Sequence, residues 1–245
     1  MFDKKNLLGV GITIGKKKEI LEYIITGLEK SIERYYVVTP NPEILVIADR
    51  DVNYKKVLNE AKLALPDGVG VIIVGKVLGK GFKDRVTGVD LMESLCKRVS
   101  EKPITVGFLG AGHGVAVLTA ECLVKKYPDL KVSLAQEEWN NADLRLASKT
   151  NNNRSKTIDI LFVAFGSPKQ EIWIAENLEK LPVKVVIGVG GAFDFISGKV
   201  KRAPVWVQEI GFEWLFRLII QPWRIKRQLS LLRFIYLVFL ERVKS

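Results

Sequence analysis

IDILFVAFGSPKQEIWIAENLEKLPVKVVIGV, Ile158 to Val189, is the stretch that decides the fold. An apolar run, Ile158 to Phe165, passes through Gly166-Ser167-Pro168 into an amphipathic helical pattern from Lys169 to Leu181. A second apolar run rich in β-branched residues, Val183 to Val189, follows. Strand, helix, strand in that order implies two parallel strands joined by a crossover helix. Both runs are almost free of polar residues, as expected when helices cover both faces of a sheet.

The same alternation extends outward. Strand-like runs occur at Leu7 to Ile14, Tyr35 to Val38, Val69 to Val74, Ile104 to Leu109 and Leu130 to Ala135. Helical patterns occur at Lys17 to Ile32, Tyr54 to Ala64, Val89 to Val99 and Val115 to Tyr127. The expected architecture is α/β: a Rossmann-like parallel sheet with helices on both faces, plus a C-terminal helical membrane-binding appendage. Lys149 to Lys156, KTNNNRSK, reads as a polar loop.

The chain has 245 residues and a formal net charge of +11. Its last segment, Lys199 to Ser245, holds ten Lys or Arg against Glu209, Glu213 and Glu241, so it carries +7 of that total. The remaining +4 is too small for a general nucleic-acid surface, and no nucleic-acid partner is expected. The same segment includes Trp206, Trp214 and Trp223, and cations interleaved with rings suit an anionic membrane surface.

From Arg224 onward the pattern is an amphipathic helix. Lys226, Ser230, Arg233, Glu241 and Lys244 form one stripe, with Leu229, Leu232, Tyr236, Phe239 and Val243 opposite. Its longest apolar run, Phe234 to Leu240, is far short of the roughly 20 residues that span a bilayer. The helix either lies on a membrane or packs its apolar side on its own domain or on a sister subunit, as in a homo-oligomer. Residues 1–198 are expected to form an α/β catalytic domain and 199–245 a basic amphipathic appendage. The N-terminus reads without a secretory signal, so a cytoplasmic protein is expected. Cys96 and Cys122 read as reduced core residues of helices. With the single His113 there is no zinc constellation, and no metal or cofactor is expected.

In open parallel sheets ligands bind beyond the carboxyl ends of the strands. After the Tyr35 strand, Asn41 reads as the N-cap of a helix with Pro42 in its first turn. Thr39 is left to bond either a ligand or a nearby backbone group. Asp67, in Leu65-Pro66-Asp67-Gly68, is a turn former in an apolar neighbourhood, where desolvation would make it a useful base. Gly75 to Arg85 lacks the spacing and the Ser or Thr of a phosphate loop, and reads as a mobile lid. Its Arg85 is the cation expected to meet phosphate or acceptor.

Three further turns close strands. Gly107 to Gly114 is a glycine-rich strand-to-helix turn whose Gly110 and Ala111 can approach a nucleotide diphosphate. Ser167, Pro168 and Gln170 read as a capping box, with the Gln170 amide available to a phosphate or sugar. Gly190 and Gly191 permit close backbone approach, and Asp194 either accepts from a sugar hydroxyl or caps the following turn. Asp49-Arg50-Asp51 has a D-x-D spacing but follows a helical run, and is read as a solvated helix end.

An ordered set of segments carries a resemblance. Thr39-Pro40-Asn41-Pro42-Glu43, Pro66-Asp67-Gly68-Val69-Gly70, Arg85-Val86-Thr87-Gly88-Val89-Asp90, Gly166 to Glu171, Gly188 to Phe195, Arg202-Ala203-Pro204 and Glu213 to Arg217 resemble the WecG/TagA/CpsF family of bacterial glycosyltransferases. Two segments depart from it. Gly110 to Gly114 reads GAGHG where a glycine-lysine-proline type of turn is usual, and Ala135 to Trp139 replaces a glycine-and-aromatic segment.

The resemblance implies metal-free, inverting transfer of a sugar from a UDP-sugar, typically UDP-N-acetylmannosamine. The implied acceptor is a polyprenyl-diphosphate-linked sugar such as undecaprenyl-diphosphate-N-acetylglucosamine, used in cell-wall or surface polysaccharide synthesis at the cytoplasmic face of the membrane. Asp67 would be the base, with Thr39, Gln170 and Arg85 around it. Asn41, Gly110, Ala111, Gly190, Gly191 and Asp194 would bind substrate. The resemblance also places Arg217, Arg224 and Arg227 near the leaving diphosphate. Two other readings stay open: a dinucleotide-dependent oxidoreductase using Gly107 to Gly114 with Glu137 on the ribose, and a noncatalytic membrane-bound scaffold.

Overall fold

The computed structural model describes residues 2–30, 33–139 and 157–244, with only the backbone of Lys226 and Lys244. The polar stretch Lys149 to Lys156 lies outside the described residues, as does Ile32 at the end of the first helical pattern. A six-stranded sheet, entirely parallel, forms the centre. In chain order its strands are β3 (Tyr35–Val38), β4 (Leu63–Ala64), β5 (Thr105–Gly110), β6 (Lys131–Gln136), β7 (Ile158–Ala164) and β8 (Val183–Gly188), arranged β4-β3-β8-β7-β5-β6.

Helices α1 (Lys17–Lys30), α5 (Gly88–Val99), α6 (Val115–Lys126) and α8 (Ala192–Ile196) bury apolar side chains with one face of the sheet, around Phe108, Phe162 and Phe193. Helices α2 (Pro42–Arg50), α3 (Val52–Glu60) and α7 (Lys169–Asn177) contribute Leu45, Tyr54, Leu58 and Ile174 to the core on the other face. The α/β expectation is met, and β7–α7–β8 is the unit read from Ile158 to Val189. A short 3₁₀ turn, Leu178–Lys180, ends its helical part.

Two expected strands are replaced. Leu7 to Ile14 is a hairpin of β1 (Lys4–Leu7) and β2 (Val10–Thr13), outside the main sheet. Its two-residue turn has Leu8 at φ 53° and Gly9 at φ 84°. Positive φ at both positions matches the twist of antiparallel strands. Val69 to Val74 belongs to helix α4 (Val69–Val77), not to a strand. The sheet position is taken by β4, ending at Ala64, and the few residues before Val69 are too few for a parallel crossover, which needs about a dozen. Gly70 and Gly75 let this helix approach Pro42 and Phe82, which added Cβ atoms would meet at 3.1 and 2.1 Å. Tyr54 to Ala64 is likewise split, into the end of α3 and strand β4.

After α8 come α9 (Val205–Glu209), α10 (Glu213–Ile220), a 3₁₀ turn at Pro222–Arg224 and the long α11 (Ile225–Lys244). Helix α11 lies along α2, burying Phe234 and Val238 in the core. Arg227 makes a two-pronged ion pair with Glu43, both contacts 2.7 Å, and Arg233 lies 3.4 Å from Asp49. Glu241 accepts from the Leu8 N–H at 3.0 Å and pairs with Lys80 at 2.7 Å.

The stripe of Arg233 and Glu241 therefore faces the protein, while Leu229, Leu232, Tyr236, Phe239 and Val243 are exposed. This removes the reading in which the apolar stripe packs on its own domain. Exposed large apolar side chains concentrate after Pro204 and include Trp206, Trp214 and Trp223. Among the described residues no helix is long and apolar enough to cross a membrane.

Three smaller expectations change. Cys122 is exposed, whereas Cys96 is buried. Asp51 caps α3 by accepting from the Tyr54 N–H at 3.0 Å, so the D-x-D segment is a helix junction. Gly75 to Arg85 is anchored and does not stand free as a lid: Phe82 is buried, Lys80 pairs with Glu241, and Asp84 accepts from the Lys17 N–H at 2.8 Å.

Candidate active site

The carboxyl ends of β4, β3, β8 and β7 gather the residues that follow each strand. Asp67 comes two residues after β4's Leu65 extension, its N–H donating to Pro40 O at 2.9 Å and so tying the β4 and β3 exits together. Asp67 as a residue is half-buried, and its carboxyl is crowded by protein. Its pKa is pushed up to about 7, first by burial. Arg85 and the Gly68 N–H oppose the rise, while the carboxylates of Glu213 and Asp90 add to it. A carboxyl tuned near neutrality can both accept and hold a proton.

A charged network surrounds it. Arg85 donates to Gln208 O at 3.2 Å and lies 3.6 Å from Glu213. Arg202 reaches Glu213 at 3.0 Å and Asp90 at 2.8 Å, and Thr87 donates to Asp90 at 2.7 Å. Arg85 thus spends donors on α9 and α10, a partner set its position in sequence gives no sign of. Arg202 and Glu213 fall in motifs that carry the resemblance, yet nothing local reveals that they meet beside Asp67.

Thr39 is buried and donates to Gly188 O at 3.3 Å, so of its two readings the structure has the backbone contact. Asn41 caps α2, accepting from the Ile44 N–H at 3.0 Å. The capping box at Ser167 is absent: its hydroxyl donates to Glu171 at 2.7 Å. Both ends of the Gln170 amide are engaged inside the protein, Nε2 donating to Glu171 at 2.7 Å and Oε1 accepting from the Gly190 N–H at 3.0 Å. Gln170 braces the β8 turn, where a free substrate contact was expected. Tyr54 and Glu171, its buried neighbours, were missed because a Glu in a first helical turn reads as solvated.

Arg217, Arg224 and Arg227 cluster on the tail side. Arg217 stacks over Phe195 at 4.6 Å and lies 4.0 Å from Asp194. A Cβ on Gly191 would meet its guanidinium at 2.7 Å, so the absence of a side chain there admits it. Burial holds the Arg217 pKa below the usual range, with Asp194 acting against it. Arg224 is pushed down to about 10 by burial and then by Arg217 and Arg227. Its Nε is buried and unpartnered. Arg217 and Arg227 thus disfavour the charged form of Arg224, with Asp194 and Glu43 opposing them, so an anion added here would meet an excess of positive charge. Glu213 acts on both Asp67 and Arg217, so the carboxyl and the arginine cluster share one charged neighbour.

The Gly110 turn is two strands away, after β5. Gly110, Ala111, Gly112, His113 and Gly114 all have positive φ. Ala111 N–H donates to Ala164 O at 3.1 Å, and the Gly114 N–H donates to the Glu137 carboxylate. Glu137 binds this loop, whose His113 and Gly114 N–H groups hold its carboxyl below the usual range. Among the described residues no group of three or more His, Cys, Asp or Glu is placed to hold a metal ion.

A carboxyl with a near-neutral pKa and an arginine cluster at the carboxyl edge of a parallel sheet are parts that transfer of a group away from an anionic leaving group can use. Transferases use such a set of groups. The chain belongs to the glycosyl transferase WecG/TagA/CpsF family, whose sequence model matches residues 5–245. It is 36% identical over 200 residues to an N-acetylglucosaminyldiphosphoundecaprenol N-acetyl-beta-D-mannosaminyltransferase of Bacillus spizizenii, covering 82% of this chain and 77% of that one. Proteins of the same name from Bacillus subtilis and Staphylococcus aureus are 32% and 30% identical, over 89% and 95% of this chain and 87% and 91% of theirs.

Proposed function

We propose that this protein transfers N-acetylmannosamine, with inversion, from its UDP-sugar to N-acetylglucosamine carried on undecaprenyl diphosphate. The observation that carries the reading is the Glu213 carboxylate, which lies 3.6 Å from Arg85 and acts on both Asp67 and Arg217 of the Arg217–Arg224–Arg227 cluster. In the step, Asp67 takes the proton of the acceptor hydroxyl while that hydroxyl's oxygen bonds to the anomeric carbon. The carbon–oxygen bond to the diphosphate breaks, and its electron pair leaves with UDP. The arginines supply the positive charge that the departing diphosphate requires. Asp194 accepts from a sugar or ribose hydroxyl, and the turns at Gly110–Ala111 and Gly190–Gly191 border the nucleotide.

Residues 1–198 are the catalytic domain and 199–245 an appendage that completes the site. The outward apolar stripe of α11, with Trp206, Trp214 and Trp223 exposed nearby in sequence, supports peripheral attachment to the cytoplasmic face of an anionic membrane.

The test incubates the full chain with a panel of UDP-sugars and a lipid-diphosphate N-acetylglucosamine acceptor, with and without chelator. Transfer of N-acetylmannosamine with inverted anomeric configuration, insensitive to chelator, is expected. Transfer from none of the donors overturns the reading, and loss of activity with chelator overturns its metal-free form. UDP should raise the melting temperature and NAD should leave it unchanged.

A further inference from the structure

We propose that Glu171 and Tyr54 are positioning residues for the donor site, acting through Gln170 to hold the Gly190–Gly191 turn against Arg217; this rests on the glycosyltransferase reading. Tyr54 and Glu171 are fully buried and Gln170 is 1% exposed. The Glu171 carboxylate accepts from three side chains: Tyr54 Oη at 3.0 Å, Ser167 Oγ at 2.7 Å and Gln170 Nε2 at 2.7 Å. Burial raises the Glu171 pKa, and the hydrogen bonds from Ser167, Gln170 and Tyr54 oppose that rise; three donors suit an ionised carboxylate, which offers only acceptors. Facing that acceptor, the Gln170 amide can present only its NH₂ to Glu171, so its Oε1 is turned to the Gly190 N–H at 3.0 Å.

A flipped amide would set an NH₂ against an N–H and lose both bonds. Glu171 therefore decides the orientation of Gln170, and Tyr54 holds Glu171. Space for the brace comes from Gly188, where a Cβ would lie 3.1 Å from Gln170 Nε2. The braced turn continues directly into Gly191, against which the Arg217 guanidinium sits. A carboxylate buried this far from solvent is costly, and an apolar packing of the same volume generally serves stability as well or better. Its placement two hydrogen bonds from the Gly190 turn, through Gln170, assigns it to geometry.

The test compares Glu171→Gln and Tyr54→Phe with Tyr36→Phe in the full chain. Tyr36→Phe is the control: it removes a buried tyrosine hydroxyl bond, to Val57 O, from the same core but away from Gln170. Glu171→Gln should raise the KM for the UDP-sugar by about tenfold, the loss of one charge-assisted hydrogen bond. The acceptor KM should stay unchanged, and hydrogen exchange at the Gly190 amide should accelerate. Tyr54→Phe should shift both readouts in the same direction by less, and Tyr36→Phe should shift neither. Unchanged Gly190 exchange in Glu171→Gln, or a donor KM equal to that of Tyr36→Phe, overturns the inference. If exchange responds while the parent protein binds no UDP, the brace stands and the assignment to a UDP-sugar donor falls.

Discussion

The guanidinium of Arg85 lies 3.6 Å from the carboxylate of Glu213, joining the segment before α5 to the first turn of α10 at the edge of the Asp67 site. Glu213 comes from the terminal segment, so a carboxylate of the tail contributes to the raised pKa of Asp67.

The pH profile should reveal this. Asp67 must be deprotonated to act as base, so kcat/KM should rise with pH through an apparent pKa of about 7. Glu213→Gln removes a negative neighbour, makes the Asp67 anion easier to form, and should move the acid limb to lower pH. Replacing Arg85 by Met should move it to higher pH. A limb that stays in place in both variants would detach it from Asp67.

Asp67→Asn keeps the shape of the side chain and loses the base. Turnover should fall by about 10²–10⁴-fold while UDP affinity, measured by calorimetry, stays close to that of the parent. Turnover within a few-fold of the parent would remove Asp67 from the mechanism.

Arg224 stands against two other cations with its Nε unpartnered. Arg224→Gln should weaken UDP binding by about tenfold or more, the worth of a charge-assisted contact, while relieving repulsion. Its melting temperature should therefore equal or exceed that of the parent. A marked loss of thermal stability with intact UDP binding would make Arg224 structural.

Gly191→Ala places a methyl group 2.7 Å from the present position of Arg217 Nη2. The guanidinium is the end of a flexible side chain and can move, so the fold should persist. The donor KM should rise by about tenfold, equivalent to about 1.4 kcal/mol. Unaltered donor kinetics would show that the Arg217 position is irrelevant to binding.

The two sides of α11 should separate in experiment. Phe234 is fully buried, and Phe234→Ala should cost about 3–5 kcal/mol of stability by leaving a cavity. Leu232→Glu with Phe239→Glu changes exposed residues and should leave stability within about 0.5 kcal/mol. That double variant should no longer sediment with anionic vesicles. Undiminished sedimentation would indicate that the stripe serves another purpose.

Much of the sheet was legible because its strands are short apolar runs separated by helical patterns, and because Asn41 carries its own capping signal. Val69 to Val74 was misread because a short β-branched run looks alike as strand or helix. What excludes the strand is the presence of β4 just before it, a two-residue strand too short to recognise locally. Asp67 was legible as a desolvated carboxylate, but its neighbours Glu213, Asp90 and Arg202 come from distant segments. Gln170 was legible as a site residue, though its role as a brace follows from Glu171 and Tyr54, whose burial no local pattern encodes.

By itself the sequence determined the strand–helix–strand unit from Ile158 to Val189, the strand ends where polar residues collect, and a terminal helix with two unlike faces, because these follow from residue periodicity and local backbone preference. Only the tertiary structure decided which face of that helix meets the protein. An amphipathic pattern states that two sides differ, but Glu43, Asp49 and Lys80 had to be brought opposite Arg227, Arg233 and Glu241 to turn the charged side inward. The same packing carries Glu213 to Asp67 and Arg217 to Gly191, contacts between segments too far apart in the chain for local preference to specify.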